Sequence, residues 1–192
     1  MDTLFFHCYD TALGTCALAW GGQGIVGSQL PEESAAATRD RMRARFPAAR
    51  EVLALEQLPP PVQQARAGVQ ALLAGEPRDL LEIELDERGL PEFNRQVHAL
   101  TRRIPVGQTL TYGEVAARLG QPGAARAVGR AEGSNPFAPI VPCHRVMGAG
   151  GLASANLVGF SAHGGVATKL RLLAIEARAT GQQVGEQTPL FG

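Results

Sequence analysis

Lysine is all but missing from this chain: among its 18 Lys and Arg residues, Lys169 is the single lysine. The scarcity makes the exception informative, because a guanidinium is always charged whereas an ammonium is compact and loses its proton readily when buried. Cysteine is scarce as well. Cys8, Cys16 and Cys143 are an odd number without framework spacing, which argues against a disulfide-stapled secreted scaffold and for a reducing compartment. His7, Cys8 and Cys16 lie close in sequence, but their spacing matches no zinc pattern, so neither a metal nor a cofactor is expected. No apolar run approaches the roughly 20 residues needed to span a bilayer, and Met1-Asp2-Thr3 has no basic, cleavable leader. The expectation is a cytoplasmic protein with no membrane partner.

Net charge is also absent, yet its distribution is lopsided. Residues 1–91 carry eight Arg against 13 acidic residues, whereas residues 92–180 carry ten basic residues against four Glu. A basic half on a neutral chain is the footprint of a nucleic-acid partner, although a solvated face gives the same count.

What is present divides into two parts. Leu4 to His7, Cys16 to Trp20 and Ile25 to Gly27 are short apolar runs separated by Gly14 and by Gly21-Gly22-Gln23-Gly24, which predicts an antiparallel meander. Pro31-Glu32-Glu33-Ser34 opens a helix to about Phe46, with the acidic residues in its first turn. After Pro59-Pro60-Pro61 comes a second helix, about Val62 to Ala74, and Leu80 to Leu85 alternates Leu/Ile with acidic residues as a strand would. The turn Asp86-Glu87-Arg88-Gly89 marks a boundary. Beyond it Phe93, Val97, Leu100 and Ile104 follow a helical period that Pro105-Val106-Gly107 ends. Thr111 and Glu114 have the spacing of a capping box, and Gly120-Gln121-Pro122-Gly123 separates that helix from the next, Ala124 to Glu132. The pair has the form of a helix-turn-helix. Its second helix interleaves Ala125, Ala127 and Gly129 with Arg126 and Arg130, a pattern that suits close helix packing or a helix presented to DNA. Gly164-Gly165 precedes a last helix, about Val166 to Arg178.

The chemistry concentrates at Ile140-Val141-Pro142-Cys143-His144-Arg145-Val146, followed by Gly148, Gly150 and Gly151. Pro142 biases Val141 to an extended conformation, and a thiol beside an imidazole can be activated as the nucleophilic thiolate. Neighbours in an extended chain point to opposite sides, so His144 is expected to reach Cys143 through a water. Lys169 and Glu176, seven residues apart, share one side of the last helix next to Leu172 and Leu173, where charges are costly unless used or paired.

Thr109-Leu110-Thr111-Tyr112-Gly113-Glu114-Val115-Ala116, Ala125-Arg126-Ala127-Val128-Gly129, Asn135-Pro136, Pro142-Cys143-His144-Arg145-Val146 and Lys169 with Leu172-Leu173 and Glu176 occur together in this order. The set resembles the 6-O-alkylguanine-DNA alkyltransferases, also called methylated-DNA-protein-cysteine methyltransferases, over roughly Phe93 to Glu176. The resemblance implies an α+β fold: a small ribonuclease-H-like α/β domain over residues 1–89, a mostly helical, winged-helix-like domain with the helix-turn-helix over 90–180, and a tail over 181–192. It implies that Cys143 takes the alkyl group of 6-O-alkylguanine, and by extension of 4-O-alkylthymine, in one irreversible turnover. His144 would be the base and Glu176 its orienting carboxylate, Asn135 the hinge residue, and Tyr112 with Lys169 the pair that protonates the departing guanine. Pro142, Val146, Phe160 and His163 would line the guanine site, with the Cys143 and Val146 carbonyls accepting from the guanine amino group and His163 donating to its oxygen. The target base must leave the stack, Arg126 would fill its place, and Ala125, Ala127 and Gly129, with Tyr112 and Arg130 nearby, would enter the minor groove of double-stranded DNA as a monomer.

The chain departs from that pattern at His98, where relatives often have tryptophan, in a longer loop between Val146 and Gly164, and in lacking N-terminal zinc-binding residues. A cysteine hydrolase could use the same Cys-His-Glu set, but no oxyanion motif is evident. Non-catalytic alkyltransferase-like proteins replace the acceptor cysteine, which is present here. The tail residues Gln187, Leu190 and Phe191 resemble a peptide that docks on the bacterial replication sliding clamp.

Overall fold

Period-two alternation sorts the N-terminal strands onto two faces. The structure is a computed structural model and describes residues 2–151 and 161–182; Phe160 and the tail residues Gln187 to Gly192 lie outside them. β1 (Phe5–Thr11) pairs antiparallel with β2 (Gly14–Gly21), Phe5 opposite Trp20, and β2 pairs with β3 (Gly24–Gln29). Gly14 and Gly24, at φ 127° and 126°, begin the strands after the two turns, a region that side chains avoid. Phe6, Ala17 and Ala19 face Met42 of α1 (Ala35–Arg45), while Tyr9, Cys16, Leu18 and Trp20 face the other way, onto Val62, Val69 and Leu72 of α2 (Pro60–Leu73). A short β4 (Arg50–Glu51) adds parallel to β1, giving the order β3-β2-β1-β4.

Two expectations need correction here. Helix α1 begins at Ala35 with Ser34 as its cap, the Ser34 hydroxyl accepting from Ala37 N at 3.1 Å, so Glu32 and Glu33 precede the helix. Their carboxylates are thereby left for other contacts. Leu80 to Leu85 is no strand: only Leu85 bridges, to Ile25, and Ile83 N donates to Leu80 O across a turn. That turn brings Leu80 and Ile83, three residues apart, inward together, while Leu81 is exposed. The alternation in sequence was real, but a turn satisfied it.

In the second half α3 (Glu92–Thr101) stops before Pro105, and Ile104 is buried in the turn beyond it. The capping box is formed: Thr111 Oγ1 accepts from Glu114 N, and Glu114 Oε2 accepts from Thr111 N, at the start of α4 (Tyr112–Arg118). α5 (Ala125–Gly133) packs with α3 and α4 around Val97, Val115, Ala116, Val128 and Ala131. β5 (Leu110–Thr111) and β6 (Val146–Met147) form a two-stranded parallel pair, and α6 (Val166–Ala179) closes the described chain. His98 is fully buried, with Nε2 against Ala131 O at 3.1 Å, and burial lowers its pKa, so it packs as a neutral ring.

One core joins the halves. Val106, Phe137, Ile140, Val141 and Leu172 pack in the same cluster as Leu18, Trp20, Leu30, Val62 and Leu72, and Ser28 N donates to Pro136 O at 2.8 Å. Among the described residues, no helix is long and apolar enough to cross a membrane.

Candidate active site and nucleic-acid interface

Pro142 does not hand an extended chain on to the thiol. At φ −82° and ψ 63° it leads into a single 3-10 turn, Cys143–Arg145, with Arg145 N donating to Pro142 O at 2.8 Å. With about three residues per turn, the Cys143 and His144 side chains still diverge. The divergence expected of an extended chain is thus produced by a turn.

Behind the turn lies a buried polar network. His144 Nε2 meets Glu176 Oε1 at 2.7 Å, and Arg145 donates to the same carboxylate through Nε at 3.1 Å and Nη2 at 2.9 Å. Arg145 Nη1 reaches Ile104 O and, at 3.4 Å, Asp79. Burial alone would raise the Glu176 pKa, but His144 and Arg145 together outweigh it and hold the carboxyl at about 2. A carboxylate with two such partners is a fixed anion. His144 is itself lowered by burial against the pull of Glu176, and its Nδ1 has no partner among the described residues. The resting ring is therefore neutral, with one nitrogen anchored and the other open to receive a proton.

The thiol rests protonated. Burial, then Glu132, push the Cys143 pKa up to about 12 against an Asn135 hydrogen bond and Lys169. The expected raised thiolate fraction is not a property of the free site; the proton must be removed during the reaction. Asn135 also ties the turn together: its Nδ2 donates to Val141 O at 2.8 Å, and its Oδ1 accepts from Phe137 N. Lys169 is almost wholly buried, donates to Val146 O at 2.6 Å, and lies 5.9 Å from the centre of the Tyr112 ring. Burial lowers its pKa, while the same effect, with Glu132, raises Tyr112 to about 12. Tyr112 thus keeps its phenolic proton, beside a cation whose charge is costly to keep.

Sequence reasoning missed Glu132. It is buried at the end of α5, accepts from Thr101 Oγ1 at 2.5 Å through one oxygen and has no partner on the other. Burial raises it to about 7. Its signal was weak: an acid two residues beyond Arg130 looks like a solvated helix end. Arg145 was visible only as part of the motif, without a role.

The guanine-site expectations fare unevenly. Pro142 and Val146 are buried beside the thiol, but both carbonyls assigned to the guanine amino group already have partners, Cys143 O with Val146 N and Val146 O with Lys169. Each retains only a second lone pair. His163 is not in the site. Its Nδ1 lies 3.5 Å from Glu32 and 3.7 Å from Glu33, and it points to the N-terminal half from a half-exposed position. From the described part of that stretch, the residue with a side-chain hydroxyl at the cavity that contains the thiol is Ser161. With Ala162, Asn135, Pro136, Ser28, Gln29, Arg41 and Arg45 it lines a cavity of about 340 Å³ that includes the thiol. Neither Arg41 nor Arg45 was singled out from sequence. Cys8 and Cys16 are pushed by burial to about 11 and 12 and offer no ready metal ligand, and His7 bonds Val52 O.

On α5 the inward residues are Val128, Ala131 and Glu132, while Arg126 and Arg130 are exposed and Ala125, Ala127 and Gly129 are half-buried. A Cβ on Gly129 would meet nothing within 4 Å. Close helix packing therefore does not explain that glycine.

Residues 92–178 match the family described as 6-O-methylguanine DNA methyltransferase, DNA binding domain. A methylated-DNA-protein-cysteine methyltransferase of Mycolicibacterium paratuberculosis is 51% identical over 108 residues, 56% of this chain and 61% of that protein. One from Salmonella typhimurium is 49% identical over 94 residues, 49% of this chain and 51% of that one. The chain thus spans about three fifths or less of the length of these curated relatives in sequence. In three dimensions the likeness is broader. The crystal structure of Mycobacterium tuberculosis O6-methylguanine methyltransferase superposes with a TM-score of 0.68 at 32% identity, over 92% of this chain and 94% of that one. A structure of the M. tuberculosis protein in complex with DNA matches with the same score and identity over 91% of this chain and 94% of that one. With motif, fold and the buried cysteine site in agreement, the chain belongs to the 6-O-methylguanine-DNA methyltransferase family.

Proposed function

We propose that this protein repairs alkylated guanine in DNA by moving the alkyl group onto Cys143, once per molecule. The observation that carries the reading is His144, with Nε2 fixed by Glu176 and Nδ1 left without a partner among the described residues beside a protonated thiol. Through one water, Nδ1 takes the Cys143 proton as sulfur attacks the alkyl carbon. Glu176, held in place by Arg145, stabilises the imidazolium that forms. Tyr112 gives guanine its ring proton, and Lys169 supports the phenolate that remains. Asn135 sets the angle between α5 and the thiol turn. The same displacement suits 4-O-alkylthymine, whose alkyl group also sits on an exocyclic oxygen.

The DNA reading rests on α5. Arg126 is exposed at a helix face that is otherwise small, and a minor groove about 6 Å wide accepts such a face more readily than a bulky one. The protein acts as a monomer and binds without regard to flanking sequence, with residues 1–89 a ribonuclease-H-like support, residues 90–180 a winged-helix-like domain, and 181–192 a tail that docks weakly on a sliding clamp. A tail peptide with no clamp binding at high micromolar concentration would remove that last element. A hydrolase is disfavoured by a specific observation: the backbone N–H groups of Cys143 and Arg145 are spent on Val141 O and Pro142 O, so neither is free to bind an oxyanion beside the thiol.

Intact mass spectrometry after incubation with a duplex containing one 6-O-methylguanine tests the whole reading. One added methyl, mapped to Cys143 and absent in Cys143→Ala, is expected. Repair of more than one equivalent per protein, or methylation at Cys8 or Cys16, would overturn it.

A further inference from the structure

Helix α1 carries four arginines at alternate positions, and it sorts them by face. Arg39 and Arg43 turn to Glu51, at 2.6 and 3.0 Å. Arg41 and Arg45, also four residues apart and therefore on one side of the helix, line the cavity that contains Cys143. That cavity has no acidic residue in its wall. Arg45 is bound only by neutral acceptors, Ser28 O at 3.0 Å, Gln29 Oε1 at 2.7 Å and Pro136 O at 3.2 Å. Arg45 is half-buried and Arg41 exposed, so an anion entering the cavity would meet both guanidiniums and gain a charge-assisted hydrogen bond. Burial and the neighbouring Arg41 both lower the Arg45 pKa, as like charges in a tight space should.

At about 340 Å³ the cavity reaches the lower end of small-ligand pockets, and a flipped base must share it with its alkyl group. The chemical group that must lie against the Cys143 sulfur is the alkyl group being transferred. Arg45 donates to Pro136 O, next to Asn135, at 3.2 Å, and both arginines share the cavity wall with Cys143.

We propose that Arg41 and Arg45 form a subsite for a negatively charged alkyl group, so that the protein prefers 6-O-carboxymethylguanine to a neutral adduct of the same size. The proposal rests on the alkyl-transfer reading above and deepens it. In the step, the sulfur of Cys143 bonds to the methylene carbon and the carbon–oxygen bond breaks, its electron pair passing to the guanine 6-oxygen. The thiol gives up one proton and guanine gains one at a ring nitrogen, so a C–S bond replaces a C–O bond and nothing is oxidised. The carboxylate is left on the modified cysteine, against the two arginines. The residues responsible belong to the half of the chain outside the family match, which gives that half a part in choosing the substrate.

The test compares single-turnover rates of the full chain on duplexes carrying 6-O-carboxymethylguanine, its neutral amide 6-O-carbamoylmethylguanine, and 6-O-methylguanine. A charge-assisted bond gained in the transition state corresponds to roughly tenfold or more in rate, so the carboxymethyl adduct should outrun the amide by about that factor. In Arg41→Ala the ratio should fall towards one, and in Arg41→Glu it should invert. Arg43→Ala, on the other face of α1, should keep the wild-type ratio. A wild-type ratio of one or below, or an Arg41→Ala protein slowed alike on all three adducts, overturns the subsite; the latter result would assign Arg41 to a DNA phosphate or to the fold. Absence of transfer from all three adducts would instead bring down the alkyl-transfer reading itself. Thermal melting of each variant confirms that the fold is intact.

Discussion

Glu132 and Glu176 are both buried within reach of the thiol turn and are displaced in opposite directions, to about 7 and about 2 from an ordinary 4.5. Glu176 therefore contributes stability that is present above pH 4.5 and lost as pH falls towards 2. Glu132 contributes in the opposite sense: its share is full below pH 4.5, is lost as pH rises to about 7 and is constant beyond. At about 1.4 kcal/mol per unit, the Glu132 loss is on the order of 3 kcal/mol. Urea unfolding at pH 5 and pH 8 should show that loss in the native chain and much less of it in Glu132→Gln; equal losses would mean that Glu132 is ionised throughout. His144→Ala should slow alkyl transfer by about a hundredfold or more, measured as single-turnover rate, with DNA affinity unchanged. An unchanged rate would remove His144 as the base. The sequence pointed to Cys143, His144 and Glu176, which the fold brings together, because each sits in a motif or beside an apolar stripe. It could not show Glu132 or the Arg41 and Arg45 pair, because a carboxyl at a helix end and arginines on a polar helix carry no local signal of what the folded chain places beside them.

At the level of elements, α5 separates stability from recognition. Gly129 weakens the helix, and a side chain there would meet open space, so Gly129→Ala should raise stability by about 0.5 to 1 kcal/mol. Gly129→Leu should fold as well but bind duplex DNA more weakly, since only the groove is crowded by the added carbons. Equal affinity for both variants in a binding titration would move the contact face away from Gly129. Local signals were reliable where an element is decided by its own residues: the Thr111 and Glu114 capping box and the Gly14 and Gly24 turns formed as expected. They failed where distant packing decides. Leu80 and Ile83 turn inward together because the core lies on one side of them, and His163 is held by Glu32 and Glu33 from the other end of the chain.

For the whole molecule, the basic half and α5 lead to a prediction about opening the duplex. Arg126→Ala should reduce repair of duplex DNA far more than reaction with free 6-O-benzylguanine, because only the duplex must give up a stacked base. Losses of equal size in the two assays would make Arg126 structural. Affinity should fall steeply with salt and vary little with flanking sequence. The shared core has a further consequence, in time rather than in space. Trp20, Val62 and Leu72 wait for Leu172 before their cluster is complete, and at the rate of ribosomal synthesis the hundred or so intervening residues take roughly 5 to 20 s. During that interval the first half presents an apolar face that its own sequence cannot cover, open to aggregation or to a chaperone. If, as proposed, each molecule is consumed by the one lesion it repairs, it is replaced only as fast as new chains pass through that window, so under heavy damage the rate of folding, and not the rate of chemistry, would set how many lesions a cell can clear.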